Sequence, residues 1–239
     1  MKKIKFKRIL LKLSGEALKG KREYGIDPEF IDYLAKEIKP IYELGVQIAI
    51  VTGGGNIFRG LSGSTHGMDR SMADYMGMLA TIFNSIALQD SLEKNGIDTR
   101  LLTTIEIKQV AEPFIRRRAI RHMEKGRIVI LGGGTGIPYI TTDTTAVLRC
   151  LELKCDIVIK ATKVDGIYTE DPNNGNNKAR MFKKLSFARA LSDKKINIMD
   201  KSALALCSDN NIPIIVYNMH IKGNLTKILL GQQVGTTIQ

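Results

Sequence analysis

Strands that end in turns of small residues are the feature that most constrains the fold of this chain. The apolar runs 7–13, 46–52 and 127–131 each lead directly into such a turn, and glycine triplets follow the second and third runs. Glycine turns bring bare backbone N–H groups to a surface where a phosphate can approach closely. Lys12 and Arg59 add cations beside two of these turns. The pattern therefore predicts a phosphate site where the strands end.

The order of strands and helices along the chain predicts the fold class. Further strand signals lie at 98–103, 156–160 and 212–217. Helical stretches alternate with the strands, at 27–45, 69–95, 113–125, 143–154, 186–192, 200–210 and 224–230. Several strands are continuous apolar runs, which is typical of a sheet with helices on both faces. We predict an α/β fold, a three-layer αβα sandwich with a mostly parallel central sheet.

Two of the helices carry explicit end signals. Asp27 followed by Pro28 is the pattern of an N-cap and a first helical position, and Gly45 is suited to end that helix. The long second helix is expected to end at Gly96. Near its start a methionine recurs every fourth residue, which is typical of a core or a subunit interface. These residues are Met68, Met72 and Met76.

The composition is that of a globular protein with an excess of positive charge. The 239 residues are 44% hydrophobic, and 36 Lys and Arg against 24 Asp and Glu give a formal net charge of +12. Such an excess suits an enzyme of anionic substrates or a nucleic-acid binder, and composition alone does not choose between them. No apolar run approaches the roughly 20 residues that span a bilayer. The basic N-terminus lacks a cleavage site, so we expect a cytoplasmic location.

Other segments have simpler interpretations. The arginine-rich stretch 116–125 is predicted to be the solvated face of a helix, and the polar stretch 169–178 to be a surface loop. Cys150, Cys155 and Cys207 lack the paired spacing of a disulfide framework or a zinc site. We interpret them as buried thiols and predict no metal site made by the protein alone.

Two common nucleotide-binding fingerprints are excluded. Residues 15–21 match the first seven positions of a P-loop, but Arg22 stands where a Ser or Thr has to ligate magnesium. The glycine triplets are not dinucleotide fingerprints, because Phe58 and Ile137 occupy the positions of the third glycine.

Five short motifs follow one another along the chain. They are Lys12-Leu-Ser-Gly15, Gly53–Gly60, Gly134–Pro138, Thr141–Asp143, and Lys160–Tyr168 with Asp171-Pro172. In this conjunction essentially the whole chain resembles the bacterial UMP kinases of the amino-acid-kinase superfamily. The resemblance implies that residues 1–239 form one amino-acid-kinase domain. In this domain residues 1–150 would mainly bind UMP and residues 151–239 would mainly bind ATP. It also implies a homohexamer that phosphorylates UMP to UDP in pyrimidine nucleotide biosynthesis, with Mg²⁺ carried by the ATP.

The resemblance assigns roles to individual residues. Lys12 is expected to neutralise charge on the transferring phosphoryl oxygens, Arg59 to reach phosphate and Asp74 to hold the acceptor ribose. The expected catalytic residues are Lys12, Arg59, Asp143 and Asp200. The expected ATP-binding residues are Lys12, Leu13, Ser14, Gly15, Gly55, Arg59, Thr162, Tyr168 and Asp171. The expected UMP-binding residues are Gly54, Asp74, Thr135, Gly136, Ile137, Pro138, Tyr139, Ile140, Thr141 and Thr142.

Some positions are open to a second interpretation or depart from the family pattern. Asp143 and Asp200 each begin a predicted helix, so a plain N-cap fits them as well as a role in the site. The family usually has Asn where Ile137 stands and an aromatic residue where Ile140 stands. Lys160 and Lys163 are predicted to be secondary phosphate cations.

Regulation is also implied by the resemblance. Feedback inhibition by UTP is expected, whereas activation by GTP is a hypothesis, because Gln89 and Glu93 replace basic positions found in some family members. The expected effector-site residues are Gly20, Lys21, Arg22, Glu23, Tyr24, Gly25, Arg100 and Arg127.

Three other functions stay open at this point. A carboxylate kinase of the same superfamily would be expected to lack the 135–142 pattern and the pair of Arg59 and Asp74. A catalytically silent nucleotide sensor would not need Lys12, Arg59 and Asp143. A nucleic-acid binder is supported by the charge alone.

Overall fold

The structure, a computed structural model, describes residues 4–58, 67–170, 179–193, 195–196 and 199–239. The strands are β1 (Arg8–Leu13), β2 (Gln47–Thr52), β3 (Thr99–Thr103), β4 (Glu112–Pro113), β5 (Ile128–Gly132), β6 (Ile157–Thr162), β7 (Ile167–Tyr168), β8 (Met181–Phe182), β9 (Lys184–Leu185), β10 (Ile214–Asn218) and β11 (Thr236–Ile238). The helices are α1 (Gly15–Leu18), α2 (Pro28–Glu43), α3 (Arg70–Lys94), α4 (Arg116–Glu124), α5 (Thr142–Leu153), α6 (Phe187–Ser192), α7 (Lys201–Asp209) and α8 (Asn224–Leu229).

One mostly parallel sheet forms the centre of the fold. In the described residues its strand order is β4-β3-β5-β2-β1-β6-β10-β11-β9. The neighbouring strands run parallel except for β10 and β11, which are antiparallel. Strands β7 and β8 form a separate antiparallel hairpin. Seven strands, β4, β3, β5, β2, β1, β6 and β10, run in the same direction, so the turns that follow them meet at one edge of the sheet.

Helices cover both faces of this sheet and bury a core on each. Along β1, Ile9 and Leu11 point into the core beneath α2, α3 and α8, whereas Leu10 points into the core beneath α4, α5 and α7. This alternation follows from the two-residue period of a strand. The predicted three-layer αβα sandwich is confirmed.

The predicted helix ends are also confirmed. The Asp27 carboxylate accepts a hydrogen bond from the Glu29 N–H at the start of α2, and Pro28 is the first helical residue. Gly45 and Gly96, which follow α2 and α3, have φ angles of 78° and 77°. Glycine is favoured there because other residues are strained at positive φ.

The shortest elements were not predicted. Helix α1, strand β4 and strands β7 to β9 are too short for a hydrophobic period, and β7 and β8 pair across a gap of 12 residues. Residues 171–178 of the predicted loop lie outside the described residues, and the strands on either side of the loop form this hairpin.

The methionine stripe is not part of the core in the single chain. Met68, Met72 and Met76 are 38%, 58% and 41% exposed. The core interpretation is therefore wrong for them, and the interface interpretation stays a prediction. By contrast, the exposed arginines of α4 form a solvated face as predicted.

The three cysteines are buried and free, as predicted. Burial raises the pKa of Cys207 to about 12, and a hydrogen bond with Cys155 together with burial raises the pKa of Cys150. Cys150 and Cys207 are therefore unreactive packing groups. In the described part of the chain, none of the helices combines the length and the apolar character that a membrane crossing requires.

Candidate functional site

Two lysines lie side by side where β1 and β6 end. The register of these parallel strands pairs Lys12 with Lys160, and two residues earlier it pairs Leu10 with Val158. Leu10 and Val158 belong to the core beneath α5. Because side chains alternate along a strand, both lysines point to the same face, towards the start of α5.

Asp143, in the first turn of α5, lies between the two lysines. Its Oδ1 is 2.9 Å from Lys12 Nζ, and its Oδ2 is 2.7 Å from Lys160 Nζ. The side chains of the two lysines are only 8% and 10% exposed and that of Asp143 is 16% exposed. We call Lys12, Asp143 and Lys160 the charge centre.

The charge centre keeps its carboxylate ionised. Burial by itself would raise the pKa of Asp143, but Lys12 and Lys160 outweigh burial and hold this pKa below its ordinary value. Burial lowers the pKa of Lys160 and Lys12 lowers it further, while Asp143 opposes both. With both lysines protonated, the centre carries a net positive charge, which suits it to an anionic ligand.

One oxygen of Asp143 is held by charge attraction more than by a well-aligned hydrogen bond. Oδ1 is buried, and Lys12 Nζ pairs with it at 2.9 Å at an angle that is poor for a hydrogen bond. Buried carboxylate oxygens are normally hydrogen-bonded. The Lys12 ammonium thus compensates the charge of this oxygen.

Asp200 organises the helix ends around the charge centre. It begins α7, where its carboxylate accepts the Ala203 N–H at 2.9 Å, and it also accepts hydrogen bonds from Thr141 Oγ1 and from Thr144 Oγ1. The Thr144 hydrogen bond is 2.7 Å long. Thr141 in turn caps α5, accepting the N–H groups of Asp143 and Thr144. The N-cap interpretation of Asp200 is confirmed, and a direct catalytic role for it stays a prediction.

The first two glycine turns touch each other beside the charge centre. A Cβ added to Gly15 would lie 2.7 Å from the Gly53 carbonyl carbon and from Gly55 N, so neither turn has room for a side chain there. Gly54 is equally restricted, because its added Cβ would lie 2.7 Å from the Gly77 carbonyl oxygen of α3. Close backbone approach is thus the reason for glycine at these positions.

A cleft of about 210 Å³ opens next to these turns. Its floor is α3, which contributes residues spaced three and four apart, as one helix face requires. They are Asp74, Gly77, Met78 and Thr81. The other walls are the Gly54-Gly55 turn and the segment 134–142, which contributes Gly134, Ile140, Thr141 and Thr142. We call this space the glycine cleft; Thr142 at its wall directly precedes Asp143 of the charge centre.

Asp74 connects the floor of the cleft with its far wall. Its Oδ2 accepts the Tyr139 N–H at 2.8 Å and Arg70 Nε at 2.9 Å. The Arg70 guanidinium also lies over the Tyr139 ring, 5.4 Å from its centroid. Without the family resemblance Asp74 would have been taken for a solvated helix residue; its side chain is only 17% exposed.

The segment 135–140 presents its apolar side chains to solvent. Ile137, Tyr139 and Ile140 are 63%, 66% and 42% exposed. Tyr139 has a φ of 68°, and Gly136 a φ of 80°. The turn is closed by Thr135 Oγ1, which accepts the Ile137 N–H at 3.2 Å. The exposed apolar side chains of this fixed turn are suited to contact a flat base. Apart from the Thr135 and Tyr139 hydroxyls, its groups that can form hydrogen bonds with a ligand are backbone atoms.

The residues expected to bind ATP do not line one cavity as the residues of the glycine cleft do, among those that the structure describes. The Leu13 side chain is fully buried in the core, so only its backbone can contact a ligand, whereas Ser14 and Gly15 begin α1 beside the glycine turns. The Thr162 hydroxyl accepts the Val164 N–H and is 3.2 Å from the Tyr217 carbonyl oxygen, so it closes a turn at the end of β6. Tyr168 lies on β7. Arg59 and Asp171 fall outside the described residues.

The expected effector residues form two separate groups within one chain. The exposed segment 20–25 is attached by hydrogen bonds between Gly25 and Asn56, which follows the carboxyl end of β2. Arg100 and Arg127 lie at the amino ends of β3 and β5, at the opposite edge of the sheet. There Arg100 Nε is 3.8 Å from a Glu112 oxygen. The single chain therefore does not assemble them into one site.

Several residues of the site were missed by the sequence analysis. Gly77, Met78 and Thr81 line the cleft, and their spacing of three, four and seven residues from Asp74 was an available signal. Arg70 precedes Asp74 by one helical turn and could have been found in the same way.

Comparison with known proteins gives concordant matches. Residues 7–218 match the model of the amino acid kinase family. The structure of a UMP kinase from Bacillus anthracis has a TM-score of 0.93 to this chain at 41% identity, and the match covers 98% of this chain and 96% of that one. A UMP kinase from Ureaplasma parvum matches with a TM-score of 0.90 at 34% identity, with 98% of each chain covered. A uridylate kinase from Archaeoglobus fulgidus matches with a TM-score of 0.75 at 27% identity, over 97% of this chain and 99% of that one.

Proposed function

The chain belongs to the amino acid kinase family and, within it, to the bacterial UMP kinases, and from this premise we propose that it transfers the γ-phosphoryl group of ATP to UMP. An oxygen of the UMP phosphate attacks the γ-phosphorus, the bond to the oxygen bridging the β- and γ-phosphates breaks, and UDP and ADP leave. Because phosphoryl transfer needs alignment and positive charge more than covalent chemistry, the residues of the site have to position two anionic nucleotides end to end.

The observation that carries this proposal is the junction of the charge centre with the glycine cleft. Asp143 follows Thr142 in the wall of the cleft and holds Lys12 at 2.9 Å. A UMP phosphate at the Gly54-Gly55 turn would thus lie beside the Lys12 ammonium. In this proposal Lys12 stabilises the charge of the transferring group, and Asp143 holds both lysines in place.

The nucleoside of UMP is proposed to occupy the glycine cleft. In this proposal Asp74 binds the ribose hydroxyls and the 135–142 segment binds the base through its backbone and threonine groups, which is supported by their positions at the cleft. ATP is proposed to bind on the other side of Lys12, along the ends of β1 and β6 and the segment that includes Thr162 and Tyr168. The division of the chain into a part up to residue 150 that mainly binds UMP and a part from residue 151 that mainly binds ATP therefore remains a proposal.

Magnesium is proposed to arrive with ATP. No group of three or more His, Cys, Asp or Glu side chains in the described ranges is arranged to hold a metal ion. The residue that would face a hydrated cation is Asp143, whose carboxylate would accept a hydrogen bond from a metal-bound water while it pairs with Lys12 and Lys160. When bound, Mg²⁺ neutralises charge on the phosphates.

A homohexamer with nucleotide effectors is the proposed assembly. The face of α3 opposite the cleft exposes large apolar side chains that repeat with helical spacing, and a subunit interface would bury them. These residues are Met72, Tyr75, Met76, Leu79, Phe83 and Ile86. Inhibition by UTP, activation by GTP, a place in pyrimidine nucleotide biosynthesis and a cytoplasmic location remain predictions from the family resemblance. If segment 20–25 forms one effector site with Arg100 and Arg127, the segment of one subunit has to contact the arginines of another subunit.

The test is an assay of the purified protein with ATP, Mg²⁺ and each nucleoside monophosphate in turn. We expect ADP formation that depends on UMP and far exceeds that with AMP or GMP. A carboxylate substrate that supports turnover while UMP does not would overturn the proposal. Titration with GTP at fixed ATP and UMP tests activation separately, because an unchanged rate would remove the GTP hypothesis alone.

A further inference from the structure

Two buried asparagines form a closed pair beneath the glycine cleft. Asn56 Nδ2 donates to Asn84 Oδ1 at 2.9 Å, and Asn84 Nδ2 donates back to Asn56 Oδ1 at 2.7 Å. Their residues are 4% and 0% exposed. Asn56 lies in the turn after β2, and Asn84 lies in the middle of α3. None of the five sequence motifs assigns a role to either side chain.

The second N–H of each amide binds a backbone carbonyl. Asn84 Nδ2 donates to the Gly53 carbonyl at 2.7 Å, and Asn56 Nδ2 donates to the Gly25 carbonyl at 2.7 Å. All four side-chain N–H groups are therefore used. This pattern also fixes the orientation of both amides, because a flipped amide would place its oxygen against a carbonyl oxygen.

The bond to Gly53 has a consequence for the phosphate site. In a trans peptide the carbonyl of one residue and the N–H of the next point in opposite directions. Asn84 holds the Gly53 carbonyl towards α3, so the Gly54 N–H points away from Asn84. Among the described residues neither the Gly54 nor the Gly55 N–H has a hydrogen-bond acceptor. Both donors remain available to an anion.

We propose that Asn56 and Asn84 act as a positioning pair that holds the Gly53–Gly55 turn with its N–H groups ready for phosphate. The proposal rests on the proposed function, since the phosphate is that of the UMP or ATP bound there. The pair also ties this turn to Gly25, whose own N–H donates to the Asn56 carbonyl at 3.0 Å. The end of the exposed 20–25 segment and the phosphate-binding turn thus form one hydrogen-bonded unit.

The test compares Asn84→Asp and Asn56→Asp with a matched control on the same helix. Each change keeps the size of the side chain but replaces an amide donor with an acceptor that faces a carbonyl. The control is Ser85→Ala, because Ser85 is equally buried and hydrogen-bonded but contacts Thr52 and Thr81 instead of the glycine turn. We expect kcat/KM to fall about 10- to 100-fold in the Asp variants, as for a misplaced site, and to stay within about twofold in the control.

Two further measurements separate positioning from loss of structure. The increase in Tm caused by inorganic phosphate should shrink in the Asp variants and persist in Ser85→Ala, a result that needs no UMP kinase activity. In a double-mutant cycle of Asn56→Ala and Asn84→Ala, the double variant should lose no more activity than either single variant, because the two residues act as one unit. The proposal is overturned if Asp variants that fold retain the phosphate shift, or if the Ala effects are additive. An inactive wild type with an intact phosphate shift would instead reject the proposed function.

Discussion

The charge centre and the glycine cleft adjoin each other but are built in different ways. The charge centre consists of charged side chains whose mutual positions follow from the register of β1 and β6 and from the capped start of α5. The glycine cleft is lined in part by backbone and small residues, and at Gly54 there is no room for an added Cβ. The charge centre should therefore respond to changes of charge, and the cleft to added atoms.

The strongest test of this contrast is Lys12→Ala in the charge centre. We expect kcat to fall about 10³-fold, because a fixed cation is lost where charge develops in the transition state, while the KM for UMP changes little. Steady-state kinetics on the folded variant separates the two parameters. The control is Lys94→Ala, which removes a lysine that is 72% exposed and ion-paired on the surface of α3. A KM effect as large as the kcat effect would place Lys12 in ground-state binding.

The cleft is tested by Gly54→Ala, which alters no charge. The new Cβ would lie 2.7 Å from the Gly77 carbonyl oxygen and 2.9 Å from Ala80 Cβ, so the turn has to move. We expect a loss of about 1–3 kcal/mol in the free energy of unfolding and at least a tenfold higher KM for UMP.

The control for that change is Gly77→Ala, compared in stability only. An added Cβ at Gly77 meets no heavy atom within 4 Å, and alanine favours a helix over glycine by up to about 1 kcal/mol. Urea unfolding of the two variants should thus give shifts of opposite sign. Equal shifts would show that space does not limit the Gly54 turn.

The sequence predicted these two regions to different depths. Lys12, Asp143 and Gly54 were predicted as site residues because each lies in a short motif next to a strand or helix end. The pairing of Lys12 with Lys160 could not be read in advance, because it needs β1 and β6 to be neighbours, which the chain order does not reveal. Asn56 and Asn84 are 28 residues apart and Asp74 and Tyr139 are 65 apart, and such contacts exist only after the layers pack. The predicted parallel sheet brought the turns together; the hydrogen bonds that hold them there needed the structure.

A smaller effect is expected from Asp143→Asn on the pH dependence of stability. The pKa of Asp143 in the folded state is lowered below the unfolded value of about 3.9. The ionised carboxylate therefore stabilises the fold fully above that value, and this stabilisation is lost as the pH falls through the folded-state pKa. At neutral pH we expect the variant to be less stable by on the order of 3 kcal/mol, since Lys12 and Lys160 lose their shared partner.

Urea unfolding of both proteins at a series of pH values measures that difference. The gap between wild type and Asp143→Asn should be constant near neutral pH and should narrow on acidification below about pH 4. A gap that does not depend on pH would mean that the ionised carboxylate is not what stabilises the charge centre.

The smallest effect is expected from Asp200→Asn, which tests where the charge centre ends. Its carboxylate accepts hydrogen bonds from Ala203, Thr144 and Thr141, and the Asn oxygen can replace only part of this set. We expect a loss of about 1 kcal/mol in unfolding free energy, as for a weakened N-cap, with a change in kcat of less than about tenfold. If Asp200→Asn instead lowers kcat as far as Lys12→Ala does, Asp200 acts on the reacting groups themselves. The charge centre would then include Asp200 and extend from β1 across α5 to the start of α7.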